Sequence, residues 1–167
     1  MYMGHLGIAL AAKGARRDVS LLILCLAAIA PDLVDFSLEG LGHVAGGGLW
    51  SHSLAAMVGY GVLFALCYGT ATHRLGAALL VGAVASSHVL ADLVTSRMVL
   101  WRGGPPLGLH LYIHPRLDFL VEGSVILIGW WLYGTSLPDK RRFSVEAFGM
   151  LVVLLGLQAY MATLSIT

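Results

Sequence analysis

Residues Ser53–Thr72 read SLAAMVGYGVLFALCYGTAT, 20 residues without a charge. As an α-helix this stretch is about 30 Å long, the thickness of a bilayer's hydrocarbon core. Working outward, three more segments read the same way. Leu75–Ala91 continues through Asp92 towards Leu100, Phe119–Leu137 is interrupted only by Glu122, and Val145–Ile166 is uncharged after Glu146. The expectation is therefore four transmembrane helices, over 53–72, 75–100, 119–137 and 145–166. Composition agrees: of 167 residues, 58% are apolar and 11% charged, and the mean hydropathy is +0.84. Counting Gly in place of Tyr raises the apolar share to about 67%, against the usual 45–50%. A soluble chain this short needs more polar surface than that. A net charge of +1 offers nothing to a polyanion, so no nucleic-acid partner is expected. The expected partner is the lipid bilayer.

The N-terminal 36 residues differ. Met1–Ala12 and Val19–Ala30 are apolar apart from His5, but each gives only about 18 Å of helix, short of a crossing. Between them lies a basic turn, Lys13-Gly14-Ala15-Arg16-Arg17-Asp18, with a helix-stopping Gly and a capping Asp. Residues 1–36 thus read as a hairpin of two short helices, the second passing Pro31 to about Phe36. A secretory leader would share Arg16-Arg17, the apolar run and Ala28-Ile29-Ala30. It would put Pro31 in the disfavoured position after the cut, and Met1–Ala12 is too apolar for its leading segment. The whole chain is expected to be one all-α, polytopic membrane domain. If the spans alternate, Lys13, Arg16, Arg17, Arg74, Lys140, Arg141 and Arg142 share one side and only Arg97, Arg102 and Arg116 the other, so the first side is cytoplasmic. The Gly-rich stretches Gly46-Gly47-Gly48 and Gly103-Gly104-Pro105-Pro106 then belong to outward loops. Cys25 and Cys67 read as reduced packing residues.

Ionisable groups in a bilayer are costly and need a partner or a task. Asp32 and Asp35 are spaced i, i+3, and His88 and Asp92 i, i+4, so each pair lies on one helix face. His52 begins the 53–72 span and His5 is the lone polar group of the first short helix. Counting about 1.5 Å per residue from the basic ends puts Asp32 and His88 at about 21 Å, Asp35 and Asp92 at about 26 Å, His52 at about 33 Å and His5 at about 12–18 Å. Simpler readings exist for each: a lone membrane histidine bonding a neighbouring helix, Asp32 as a cap, His88–Asp92 as an ion pair. They do not explain the shared depth. His5, Asp32, Asp35, His52, His88 and Asp92 are accordingly candidate ligands of a divalent metal, Zn²⁺ first, with Mn²⁺ or Fe²⁺ as alternatives. Six donors exceed one catalytic zinc's needs and leave room for two metals. His110, His114 and Asp118 precede Glu122; Asp118 suits a helix N-terminus, whereas Glu122 lies about a turn inside the membrane.

In order, Gly4-His5-Leu6-Gly7, Ala30-Pro31-Asp32-Leu33-Val34-Asp35, Trp50-Ser51-His52-Ser53-Leu54 and Ser87-His88-Val89-Leu90-Ala91-Asp92 resemble the membrane-bound metal-dependent hydrolase family, also described as LexA-binding and inner-membrane-associated. That family's pattern is a Thr-His start, a Pro-Asp-x-Asp element, a His-Arg-x-x-Thr-His-Ser element and a Ser-His-x-x-x-Asp element. Here Gly4 replaces the Thr, two residues separate Asp32 from Asp35, and Gly48-Leu49 replaces the leading His-Arg. The resemblance covers about the first two-thirds of the chain. It implies a metal-dependent hydrolase of the bacterial inner membrane. Asp35 or Glu122 is then the candidate proton acceptor. A site in the outer half of the bilayer suits a lipid-linked or membrane-proximal ester or phosphoester as substrate. The alternative from the residues is a non-catalytic membrane protein or metal transporter with a polar packing core.

Overall fold

The computed structural model describes residues 1–42 and 49–164; the Gly46-Gly47-Gly48 stretch and the last two residues of the expected 145–166 span lie outside the described residues. The chain is all-α. In order come α1 (Gly4–Ala15), α2 (Leu21–Gly40), α3 (Leu54–Thr72), α4 (Leu75–Thr95), the strands β1 (Met98–Val99) and β2 (Pro106–Leu107), α5 (Pro115–Ser136) and α6 (Val145–Leu164). From α2 to α6, five helices are long and apolar enough to cross a membrane. Their outward rows, such as Val58, Val62 and Leu66 on α3 and Val152, Val153 and Leu157 on α6, are exposed. Such rows are what lipid, not water, would cover. The chain has the character of an integral membrane protein.

Two boundaries differ most from the sequence reading; in addition α5 starts at Pro115 rather than Phe119, and α1 runs past Gly14, read as a helix stop, to Ala15. The second helix was expected to stop near Phe36, too short to cross; α2 instead runs 20 residues to Gly40 with Pro31 inside it. Proline lacks one ladder donor, but a helix with enough turns on either side continues through it. The segment expected as helix to Leu100 ends at Thr95. Asp92 O accepts from Ser96 N at 2.7 Å and Ser96 Oγ at 2.9 Å, which closes the last turn. The antiparallel β1–β2 pair then returns the chain, so that Leu109 N donates to Leu93 O at 2.9 Å and His110 N to Ser96 O at 3.4 Å. Orphan carbonyls at the helix end are thereby partnered. Gly108, at φ +123°, makes this approach possible, because a Cβ there would lie 2.1 Å from Ser96 O.

The described residues divide into two compact units, Met1–Cys25 with Leu111–Thr167, and Leu26–His110. In the first, Leu10, Ile126, Trp130, Leu151 and Leu154 form the core, and Trp130 Nε1 donates to Ala147 O at 2.7 Å. Helices α1 and α5 meet backbone to backbone: a Cβ on Gly129 would lie 2.0 Å from Gly7 O, the close approach that small residues allow between membrane helices. The first amides of α1 have no partners in their own helix. Side chains supply them: Glu122 accepts from Tyr2 N and Gly4 N at 2.7 and 2.9 Å, and Gln158 Oε1 accepts from Met3 N at 3.0 Å. Gln158 Nε2 in turn donates to Asp118 Oδ2 at 3.2 Å. Glu122→Ala strands one buried and one part-buried amide, and at about 1–3 kcal/mol for each lost charge-assisted bond the thermal unfolding midpoint in detergent should fall clearly. An unchanged midpoint would show that those bonds contribute nothing. In the second unit α3 packs on α4, with Ser86 Oγ donating to Met57 O at 3.1 Å.

Candidate metal centre

Three separate pieces of chain build the centre, all within the second unit. Helix α2 carries Asp32 and Asp35 one turn apart. The turn before α3 carries Ser51 and His52, and Ser53 ends that turn as the helix cap, accepting from Ala56 N at 3.1 Å. Helix α4 carries His88 and Asp92, which its period puts on the same face.

One atom from each of Asp32, His52, His88 and Asp92 lies within 4.8 Å of the other three. The separations are informative. His52 Nε2 is 3.1 Å from His88 Nε2, 3.1 Å from Asp92 Oδ2 and 3.4 Å from Asp32 Oδ1. His88 Nε2 is 3.2 Å from Asp92 Oδ2 and 3.3 Å from Asp32 Oδ1. Zinc with bonds of about 2.0–2.1 Å to four tetrahedral donors separates those donors by about 3.3 Å. Five edges of the tetrahedron thus have close to the required length before any ion is considered.

The opposite ring nitrogens explain which lone pairs face inward. His88 Nδ1 lies 2.6 Å from the carbonyl oxygen of Ala28, an acceptor only, so Nδ1 carries the hydrogen and Nε2 is left bare. Ala28 stands one turn before Pro31 on α2; the donor that the proline lacks would have served Ala27 O, one residue earlier. His52 Nδ1 is 2.6 Å from Ser51 Oγ and 3.1 Å from Asp35 Oδ2, and Ser51 Oγ donates to Asp35 Oδ1. Two bare Nε2 atoms at 3.1 Å repel one another unless a proton or a cation sits between them. Burial works against charging His52, but hydrogen bonds to Asp32 and Asp92 and the charges of Asp92 and Asp35 outweigh it, raising its pKa to about 9. The donor set fits a divalent cation: two imidazoles with fixed tautomers, two carboxylates, and the spacing of a small coordination sphere.

The centre is lopsided. His88 has no exposed side-chain surface and Asp92 only 6%, whereas Asp32 is 35% and Asp35 33% exposed. Access is from the α2 side. Ser51→Ala removes one support of the His52 ring and should weaken metal binding about tenfold to a hundredfold, the usual size of such outer hydrogen bonds. A competition titration with a chromophoric chelator reads this directly, and equal affinities would show that Asp35 alone orients the ring.

Of the six candidate ligands, Asp32, His52, His88 and Asp92 come together, and Asp35 stands behind His52. His5 is in the first unit, buried on α1. Glu122 and Asp118 are buried on α5 in that same unit. His114 precedes α5 as its cap residue, and His110 has a buried Nδ1 with no hydrogen-bond partner. Cys25 and Cys67 are free thiols, but Cys67 is exposed rather than packed. Sequence reasoning missed two supports. Ser51 was visible only as the neighbour of His52, and nothing in the sequence pointed to the Ala28 carbonyl. Comparison of the chain with protein-family models, with curated proteins and with solved structures found no match.

Proposed function

We propose that this chain is a membrane-embedded, metal-dependent hydrolase of the membrane-bound, inner-membrane-associated family that its motifs resemble, acting on a lipid-linked or membrane-proximal phosphoester. The observation that supports it is the close approach of His52 Nε2, His88 Nε2, Asp32 Oδ1 and Asp92 Oδ2, with five separations of 3.1–3.4 Å and both Nδ1 atoms tied elsewhere. Those four atoms would hold the cation, zinc by donor set and geometry, with manganese or iron as alternatives. A bound cation supplies Lewis acidity, acidifying a water and polarising an ester oxygen.

The chain's own groups do the rest. Buried His88 and Asp92 keep bulk water from the rear of the site. Asp35 holds His52 in its tautomer, and its half-buried carboxylate, one turn from Asp32, takes the proton that the attacking water gives up. The proposed location is the bacterial inner membrane with the basic turns at Lys13–Arg17, Arg74 and Lys140–Arg142 in the cytoplasm, supported by the excess of Lys and Arg on that side.

The test is hydrolysis of a micellar lipid phosphate, a phosphodiester and a carboxyl ester by purified protein supplied with Zn²⁺ or Mn²⁺. Turnover that a chelator abolishes and metal restores supports the proposal. A fully loaded protein that hydrolyses none of the three, yet carries Zn²⁺ into vesicles, replaces it with the transport reading.

A further inference from the structure

Beside the metal centre, the same turn that carries His52 also forms one wall of a groove. Trp50, Ser53, Leu54, Leu100, Trp101 and Arg102 line it, and it has room for about 720 Å³, within the roughly 300–1,000 Å³ of small-molecule sites. Trp50 stands two residues before His52 and Ser53 one residue after it, so whatever occupies the groove lies along the segment that presents a metal-binding imidazole.

The groove is built rather than incidental. Leu54 N, at the first turn of α3, donates to Leu100 O at 3.0 Å, which fastens the loop between β1 and β2 to the helix start. Trp101 is held in place by Gly104: its own carbonyl accepts from Gly104 N at 2.9 Å, and a Cβ on Gly104 would lie 2.6 Å from the indole. Trp50, in the turn before the candidate membrane span Leu54–Thr72, is 73% exposed. Tryptophan with arginine at such a position is the composition of a lipid headgroup zone. Arg102 is exposed and makes no ion pair among the described residues. Its guanidinium fork matches a phosphate's oxygens in shape and charge.

We infer that this groove seats an anionic lipid, the phosphate on Arg102 and the acyl chain along Trp50, Leu54, Leu100 and Trp101. On the hydrolase reading, on which the substrate assignment rests, the substrate class is a lipid phosphate. The apolar lining accounts for the chain and the guanidinium, which makes no ion pair among the described residues, for the charge; Trp50 and Ser53 flank His52 in the same turn. A soluble phosphate would use Arg102 but leave both tryptophans without a purpose.

The test uses metal-stripped, full-length protein in phosphatidylcholine vesicles that carry a minority of brominated phosphatidic acid or brominated phosphatidylcholine. Tryptophan quenching reports which lipid collects beside the protein. One arginine near a membrane surface enriches an anionic partner about fivefold. Excess quenching by the brominated phosphatidic acid is therefore expected, lost in Arg102→Gln and largely kept in Arg102→Lys. Equal quenching by the two lipids overturns the inference, as does an excess that survives Arg102→Gln. Loss of the excess on adding inorganic phosphate assigns the guanidinium to free phosphate and likewise overturns it. Because no metal is present, the two ideas fail separately. Selective quenching without any turnover by the loaded protein keeps the lipid seat and removes the hydrolase. Turnover of a soluble ester without selective quenching does the reverse.

Discussion

His88→Ala should leave the purified protein almost free of divalent metal, while the wild type holds it in stoichiometric amount. Four-donor zinc sites bind with roughly 10–16 kcal/mol, so each donor contributes about 3 kcal/mol, or about two orders of magnitude in affinity. The histidine removed is the most deeply buried of the four, with no exposed surface, so no water can easily stand in for it. Asp92→Asn should give a smaller loss, because its amide oxygen still donates a lone pair, though without the charge. Elemental analysis after exhaustive dialysis measures both. Wild type without metal, or His88→Ala with as much as wild type, removes the metal centre and the hydrolase proposal with it.

The second large effect belongs to the other unit. Gly129→Val should leave little folded protein, because its Cβ would have to occupy space 2.0 Å from the carbonyl oxygen of Gly7. Ordinary overpacking costs about 1–3 kcal/mol when side chains can yield. Here the obstacle is backbone, so α1 and α5 must part, and the loss should reach a large share of the roughly 5–15 kcal/mol that holds a domain together. Gly156→Ala on α6 is the control: nothing lies within 4 Å of the added methyl, and a helix-interior alanine should gain about 1 kcal/mol. Yield of monodisperse protein on gel filtration, with the midpoint of heat-induced aggregation, separates the two. A well-behaved Gly129→Val would mean that the helices are not in contact as described.

The spans were legible because a 20-residue apolar run in a chain with so few charges has few alternatives to a membrane helix. The meeting of Asp32, His52, His88 and Asp92 was legible for a related reason: costly groups at matching depths need each other. Depth, however, is one coordinate. It carries no information on which lateral neighbour a group has, which is why His5, at a comparable depth, falls in the unit of α1, α5 and α6. Glu122 was conspicuous as a buried acid, but its two oxygens serve the backbone of α1, and backbone demand at a remote helix end leaves no mark in the pattern of side chains. The return of the chain after Thr95 was read as continuing helix because Ser96–Leu100 contains no glycine or proline. What ends that helix is the returning backbone around Gly108, a dozen residues further on.

The centre's four donors come from positions 32, 52, 88 and 92, which has a consequence for biogenesis. When the ribosome has delivered only α2, two aspartates enter the lipid with neither imidazole yet made, and His88 is the last neutral nitrogen to arrive. Insertion of the early helices must therefore be provisional, held at the translocon or shielded by water, until α4 emerges and closes the ring. A nascent chain stalled while α4 is still inside the ribosome should be extracted from the membrane far more readily than one stalled after α4 has emerged.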